Sequence, residues 1–303
     1  MNPVAHFTND NGVAIQYHMN HRFAELFGSR NEHEVMFRRI STYLINNGHI
    51  RGNIIDLGAW IGDNALPWAK SLLMAQNAAS CGIDAKSLLM ADTKSLLMAD
   101  SKSLDQTPLV YAIDPSPDNC QFIQDLASLN NIQNIRIIQK AISDRREVLS
   151  TNDHLTHCSF VSDDDSGQNR VKAWPLDDLY NAGEIVNVAF IHLDVEGMEN
   201  RVIAGATTLI AECKPIIAFE QHLEQDPFIE LSEYIASKGY TVYLINEVLP
   251  GCRSDCRNFI AFPNNRFDDK IGEQVIGAQV IGSQVIADML NTHLGQDVLE
   301  CVV

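Results

Sequence analysis

Asn53-Ile54-Ile55-Asp56-Leu57-Gly58-Ala59-Trp60-Ile61-Gly62-Asp63-Asn64 is the stretch whose reading decides the fold. A short apolar strand runs into an acidic residue, a turn follows with Gly58 and Gly62, and a helix begins. Glycine tolerates dihedrals and close backbone approaches that other residues resist, so this turn can lie against a ligand. The spacing is DxGxxxG and not the GxGxxG of dinucleotide binders. A pyrophosphate at the helix start is disfavoured by the adjacent carboxylate, whereas Asp56 suits a ligand that carries an ammonium group.

Working outward, apolar runs recur at Leu109 to Ile113, Ile135 to Ile138, Val188 to Leu193, Pro215 to Phe219, Thr241 to Ile245 and Asn258 to Phe262. Several are apolar on both faces, as parallel strands covered on two sides must be. Helical segments alternate with them at Asp118 to Leu129, Val202 to Ala211 and Phe228 to Lys238, the last opened by Asp226-Pro227 and stopped by Gly239. This alternation predicts an open, Rossmann-like α/β sheet of seven mostly parallel strands with helices on both faces. The second strand ends in Asp114, followed by Pro115-Ser116-Pro117. A carboxylate at that tip can accept ribose hydroxyls, or it can serve the start of the next helix. An acidic second strand joined to the glycine turn points to an adenosyl ligand with an ammonium, S-adenosylmethionine (SAM).

At the carboxyl end of a central strand stand His192, Asp194 and Glu196, predicted to share one side of the strand. The next strand ends Phe219-Glu220-Gln221-His222. Both ends face the ligand crevice of an open sheet. Methyl transfer from a sulfonium to a hydroxyl needs alignment and a base for the departing proton. Asp194 is the first candidate for that base, with Glu196 or His222 next, and Glu220 can orient the acceptor. Glu196 has a second reading as a helix cap, and His222 as a surface histidine. Oxygen-rich groups such as these suit magnesium, but nothing in the spacing demands it, and no metal is expected.

The order of motifs resembles the FkbM family of SAM-dependent methyltransferases. The resemblance rests on IIDLGAWIGDN, VYAIDPSPDN with LASLNNIQNIRIIQKAISD, WPLDDL, FIHLDVEGMENRVIAGA and PIIAFEQH, from Asn53 to His222. It implies a class I methyltransferase sheet with a reversed strand near its C-terminal edge. It also implies O-methylation, often of a hydroxyl on a sugar, a glycan or a natural product. By that resemblance Asp56, Gly58, Ala59, Gly62 and Asn64 form the SAM loop, Asp114 and Pro115 lie at the ribose, and Ala141-Ile142 sit near the adenine. The chain departs from the family in having His192 where Lys is frequent and Asp114 where Glu is frequent. A scaffold module that has lost turnover, or a protein acceptor, stands as the alternative.

Two tandem repeats interrupt the pattern. KSLLMAD recurs from Lys70 to Leu104 in a register of eight, and IGEQV-type units recur every five from Ile271 to Ala287. Their near-identity reads as recent duplication, and the first lies at a connection away from the ligand end. The expected organisation is a helical lead-in over 1–50, a methyltransferase domain over 51–265 with the insert at 70–104, and a repeat tail over 266–303.

The formal net charge of -17 and scattered Lys and Arg disfavour nucleic acid as a partner. No apolar run reaches the roughly 20 residues of a membrane span. MNPVAHFTND shows neither the basic nor the apolar region of a secretory leader, so a cytoplasmic location is expected. Seven cysteines, with Cys252 and Cys256 the close pair, fit reduced thiols better than a disulfide framework or zinc finger. The acceptor is expected to be a small molecule or glycan; oligomeric state leaves no trace in the sequence.

Overall fold

The computed structural model of the chain describes residues 4–8, 13–29, 34–80, 107–151, 161–162, 169–223, 228–247, 254–264 and 298–302. The later KSLLMAD copies, the IGEQV-type repeat, the acidic run Asp163-Asp164-Asp165, Asp226-Pro227 and Cys252 lie outside them.

The central sheet is built on β3 (Asn53–Leu57), β4 (Val110–Ile113), β5 (Ile135–Ile138), β10 (Val188–Leu193), β11 (Ile216–His222), β12 (Tyr240–Ile245), β13 (Cys256–Pro263) and β14 (Leu299–Cys301). Its order is β14-β12-β13-β11-β10-β3-β4-β5. From β5 to β11 neighbours run parallel; β13 is antiparallel to both β11 and β12. All seven strands expected from the sequence are present, and the reversed strand is β13. The eighth, β14, comes from the tail and pairs antiparallel with β12. Its three residues are too few to produce a readable period, so a seven-stranded sheet was the expectation.

Alternate residues of each central strand feed two separate cores. Ile54 and Phe190 face one, and Ile55, Leu57, Ile191 and Leu193 face the other. The first is covered by α2 (Val35–Asn46), α3 (Ala65–Ser80) and α4 (Pro117–Leu129), through Phe37, Trp68 and Phe122 among others. The second is covered by α5 (Leu176–Asn181), α6 (Glu199–Ala204), α7 (Thr207–Cys213) and α8 (Phe228–Ser237). Helices on both faces explain why these strands read as continuous apolar runs.

Three local expectations change. The lead-in is not all helix: β1 (Val4–Thr8) and β2 (Ala14–His18) form an antiparallel hairpin before the short α1 (Ala24–Ser29). The helix expected over Val202 to Ala211 is two helices. Gly205 packs so tightly that a β-carbon there would lie 2.2 Å from the Ser143 carbonyl oxygen. The Asp177 carboxylate then accepts from the Thr208 and Leu209 amides at 2.9 Å each, capping the new helix from α5. A cap from a residue about 30 positions away leaves no local signature. Residues 141–174 contribute a four-stranded sheet in the order β6-β9-β7-β8: β6 (Ala141–Ile142), β7 (Glu147–Thr151), β8 (Val161–Ser162) and β9 (Asn169–Trp174).

The first repeat unit belongs to the fold. Lys70 to Met74 lie within α3, where Ser71, Leu72 and Met74 are buried. Lys70 Nζ donates to the Ala14 carbonyl at 2.7 Å, tying α3 to the hairpin.

Candidate active site

The turn after β3 is shaped by the chain itself. Gly58 has φ +75°, and a β-carbon on it would lie 1.8 Å from the Asp194 carbonyl oxygen. The end of β10 therefore presses directly on the glycine turn, and the Asp194 amide donates to the Leu57 carbonyl at 3.0 Å. The amides of Gly58 and Ala59 both donate to the Ile113 carbonyl, and that of Gly62 to Ala59. Trp60, also at positive φ, turns its amide to Asp114 Oδ2 at 2.9 Å.

Asp114 is buried and receives two further donors at Oδ1, the Ser116 amide at 2.8 Å and Asn119 Nδ2 at 3.1 Å. Burial nonetheless pushes its pKa up to about 7, against the pull of those three bonds. A carboxylate offers about four acceptor positions, so one remains, on Oδ2. That leaves room for one ribose hydroxyl. The cap of α4 is Ser116, whose Oγ accepts from the Asn119 amide at 3.3 Å, with Pro117 opening the helix.

Asp56 lies opposite His192 across the β3–β10 ladder, and its Oδ1 is 2.8 Å from His192 Nδ1. Both side chains are buried, and the imidazole stacks on Phe37 at 4.9 Å between centroids. Burial pushes the Asp56 carboxyl up. Burial acts to lower the His192 pKa, but its contact with Asp56 outweighs that and raises it. Asp56 Oδ2 and His192 Nε2 are buried without a hydrogen-bond partner among the described residues. Buried polar atoms of this kind call for a partner the described residues do not supply, and the free carboxylate oxygen suits an ammonium.

Asn64 is engaged by the lead-in. Its Oδ1 accepts from Arg38 Nε at 2.9 Å and its Nδ2 donates to Glu34 Oε2 at 3.2 Å. Arg38 also meets Asp63 at 2.7 Å, and Glu34 Oε1 accepts from Asn258 Nδ2 at 3.1 Å. This buried network ties α2, the motif turn and β13 together. The sequence reading missed Glu34, Arg38 and Asn258. One signal was available: Arg38 shares the buried stripe of α2 with Ser41 and Ile45, an unusual place for a guanidinium.

At the carboxyl ends of β10 and β11 the acidic groups gather. Asp194 follows the last residue of β10, and burial, then Glu220, then Glu196 raise its pKa well above the ordinary carboxylate value. Glu196 does not share a strand face with Asp194 as expected, because β10 has already ended and Glu196 sits exposed on a turn at φ +53°. The turn is fastened by Glu199, whose Oε1 accepts from the Val195 and Gly197 amides and whose Oε2 accepts from Gln221 Nε2 at 3.1 Å. Glu220 and His222 lie two residues apart on β11, Oε1 to Nε2 3.9 Å. Pro115 is half-buried beside Asp114, while Ala141 and Ile142 pair with Ala173 and Trp174 in the second sheet.

A parallel run with one reversed strand near the edge, and a glycine turn at its centre, is the sheet of a Rossmann-like methyltransferase. Residues 83–242 match the Methyltransferase FkbM domain. That is more than half of the 303 residues, and the chain belongs to the FkbM methyltransferase family. The match begins after the Asp56 to Asn64 turn, within the repeat insert, whose later copies it includes. Among solved structures the chain is similar to the methyltransferase FkbM from Methylobacillus flagellatus KT, with 18% identity over 69% of this chain and 43% of that one, TM-score 0.43. It is also similar to the precorrin-6y C5,15-methyltransferase from Geobacter metallireducens GS-15, with 13% identity over 76% and 87%, TM-score 0.36. A third is M. jannaschii TYW2 in complex with AdoMet, with 12% identity over 86% and 85%, TM-score 0.34. This chain thus spans less than half the length of the Methylobacillus protein. No curated protein matches it. No helix among the described residues is long and apolar enough to cross a membrane.

Proposed function

We propose that the chain transfers a methyl group from SAM to a hydroxyl oxygen of a sugar, a glycan or a glycosylated small molecule. One observation carries the reading. The Asp194 backbone abuts Gly58, so the first-choice base and the motif turn meet at one point of the crevice. Bound over the turn, SAM supplies an electrophilic methyl group. Asp114 would accept one ribose hydroxyl at its remaining acceptor position, and Asp56 would offer Oδ2 to the ammonium. Gly58, Ala59 and Gly62 shape the turn, Asn64 braces it, and Pro115 with Ala141 and Ile142 would border the adenosyl group.

Asp194 takes the acceptor's proton. Its raised pKa supports that role, since a carboxyl pushed upward is a stronger base than one in water. Glu220 and His222 orient the acceptor, and Glu196 adds to the charge that lifts Asp194. The net charge of -17 favours a neutral acceptor over a polyanion such as nucleic acid.

The test is incubation with methyl-labelled SAM and a panel of deoxysugars, nucleotide sugars and short glycans. The expected product is a methyl ether on an acceptor hydroxyl. Label recovered on a protein side chain or on RNA, with none on any sugar, would overturn the acceptor assignment.

A further inference from the structure

We propose that Glu220, His222 and Cys256 form a three-ligand site for a divalent transition-metal ion of the zinc class. On the antiparallel β11–β13 ladder His222 lies directly opposite Cys256, and Glu220 stands two residues before His222 on the same face of β11. One ligand atom from each residue, a carboxylate oxygen, an imidazole nitrogen and a sulfur, lies within 4.8 Å of the other two. Tetrahedral zinc, with bonds of about 2.0–2.3 Å, needs its ligand atoms about 3.3–3.8 Å apart. The Glu220–His222 separation is already 3.9 Å, and closing the rest takes small side-chain rotations rather than a shift of the sheet.

The donor set selects the ion. Magnesium and calcium want oxygen ligands, and this site offers one carboxylate beside a thiol and an imidazole. Zinc and its borderline neighbours bind that mixture well. Burial sets the orientation of the site. Cys256 is fully buried, whereas the His222 and Glu220 side chains keep 20% and 16% of their exposure. Sulfur thus makes the floor while nitrogen and oxygen make the rim, and a metal held by three protein ligands keeps a coordination position open. The site stands at the carboxyl end of β11, beside that of β10, where an acceptor hydroxyl can reach it. Its use by the acceptor rests on the methyl-transfer reading; the binding of the metal does not.

The experiment titrates the chelator-stripped full chain with zinc against a chromophoric competitor, and with cobalt as an optical stand-in. One equivalent should bind, and cobalt should show sulfur-to-metal charge-transfer absorption in the near ultraviolet. Cys256→Ser should abolish that absorption, and His222→Gln should keep it while weakening affinity roughly tenfold or more, as losing even an outer-shell partner does. Cys301→Ser, at an exposed thiol, should bind like the wild type. If Cys256→Ser fails to fold, His222→Gln and Glu220→Gln at the rim carry the test, each expected to weaken zinc binding. Absence of stoichiometric binding, a thiolate band that survives Cys256→Ser, or rim variants with wild-type affinity would overturn the site. SAM affinity measured on the same samples tests the functional reading separately, because metal binding without SAM binding leaves this site standing.

Discussion

The motif turn and the strand ends lie against each other at Gly58 and Asp194, and burial raises the carboxyls of both, yet they surround those carboxyls differently. Around the turn the carboxylates have donors: Asp114 has three, and Asp63 has the Arg38 guanidinium. At the strand ends burial, Glu220 and Glu196 raise the pKa of Asp194, and the pull of His192 does not offset them. Donors hold the shape of the first region, as the proposed cofactor cradle requires. The second holds charge in an unfavourable arrangement, the condition under which a carboxyl becomes a better base.

The sharpest way to break this contrast is Asp194→Asn. It keeps the shape but removes the proton acceptor, so turnover should fall about 10²–10⁴-fold. SAM affinity should barely move, and the melting temperature should hold or rise because a like charge has gone. Near-normal turnover in this variant, with His222→Ala inactive, would exchange their roles.

Arg38→Met reads the other region. It takes the guanidinium away from buried Asp63 and Glu34, and removing one partner of a buried ion pair costs about 3–5 kcal/mol. Chemical denaturation should register that loss, with SAM binding weakened through the slackened Asn64. A variant as stable as the wild type would mean that the network contributes little.

Asp114→Ala should weaken SAM binding by about 1.5–3 kcal/mol, the scale of hydrogen bonds to a charged group. pH dependence sharpens the point. Burial holds this carboxyl at about 7 against an ordinary 3.8, so the folded state binds its proton more tightly than the unfolded chain does. Its contribution to stability is complete below about 4 and is lost as pH rises through 7. A ribose hydroxyl favours the charged form, so SAM affinity should rise with pH over the same window. Calorimetry at several pH values, repeated on Asp114→Asn, should show both slopes flatten.

The smallest effect is expected from deleting residues 86–100. These copies repeat a unit whose first occurrence, Lys70 to Met74, already supplies the buried face of α3. Shortening a connection changes loop-closure free energy by only about 0.6 kcal/mol per halving of its length. A collapsed melting transition would show that the copies pack against the domain.

Much of the scaffold was legible because its signals are local. The bounds of β3, β5 and β10 coincide with the runs read from the sequence; β3 and β10 are buried along their whole length and so are mainly apolar, and the edge strand β5 keeps three isoleucines around one exposed arginine. Gly58 and Gly62 stood out for the same reason: positive φ and close approach restrict the residue wherever the chain makes that turn. The break at Gly205 was illegible, because the helical pattern of 202–211 continues through it and the obstacle is the Ser143 carbonyl just past β6.

By itself, then, the sequence determined the order of strands and helices, the glycine turn, and which acidic residues stand at strand ends. Tertiary structure alone decided their partners. Asp56 meets His192 across 136 positions of chain, Asn258 reaches Glu34 across 224, and Cys256 comes opposite His222 through an antiparallel register. Periodicity records which face of an element is buried. The register between distant elements is set by the packing of two whole cores against the sheet, and that information is not contained in any one segment.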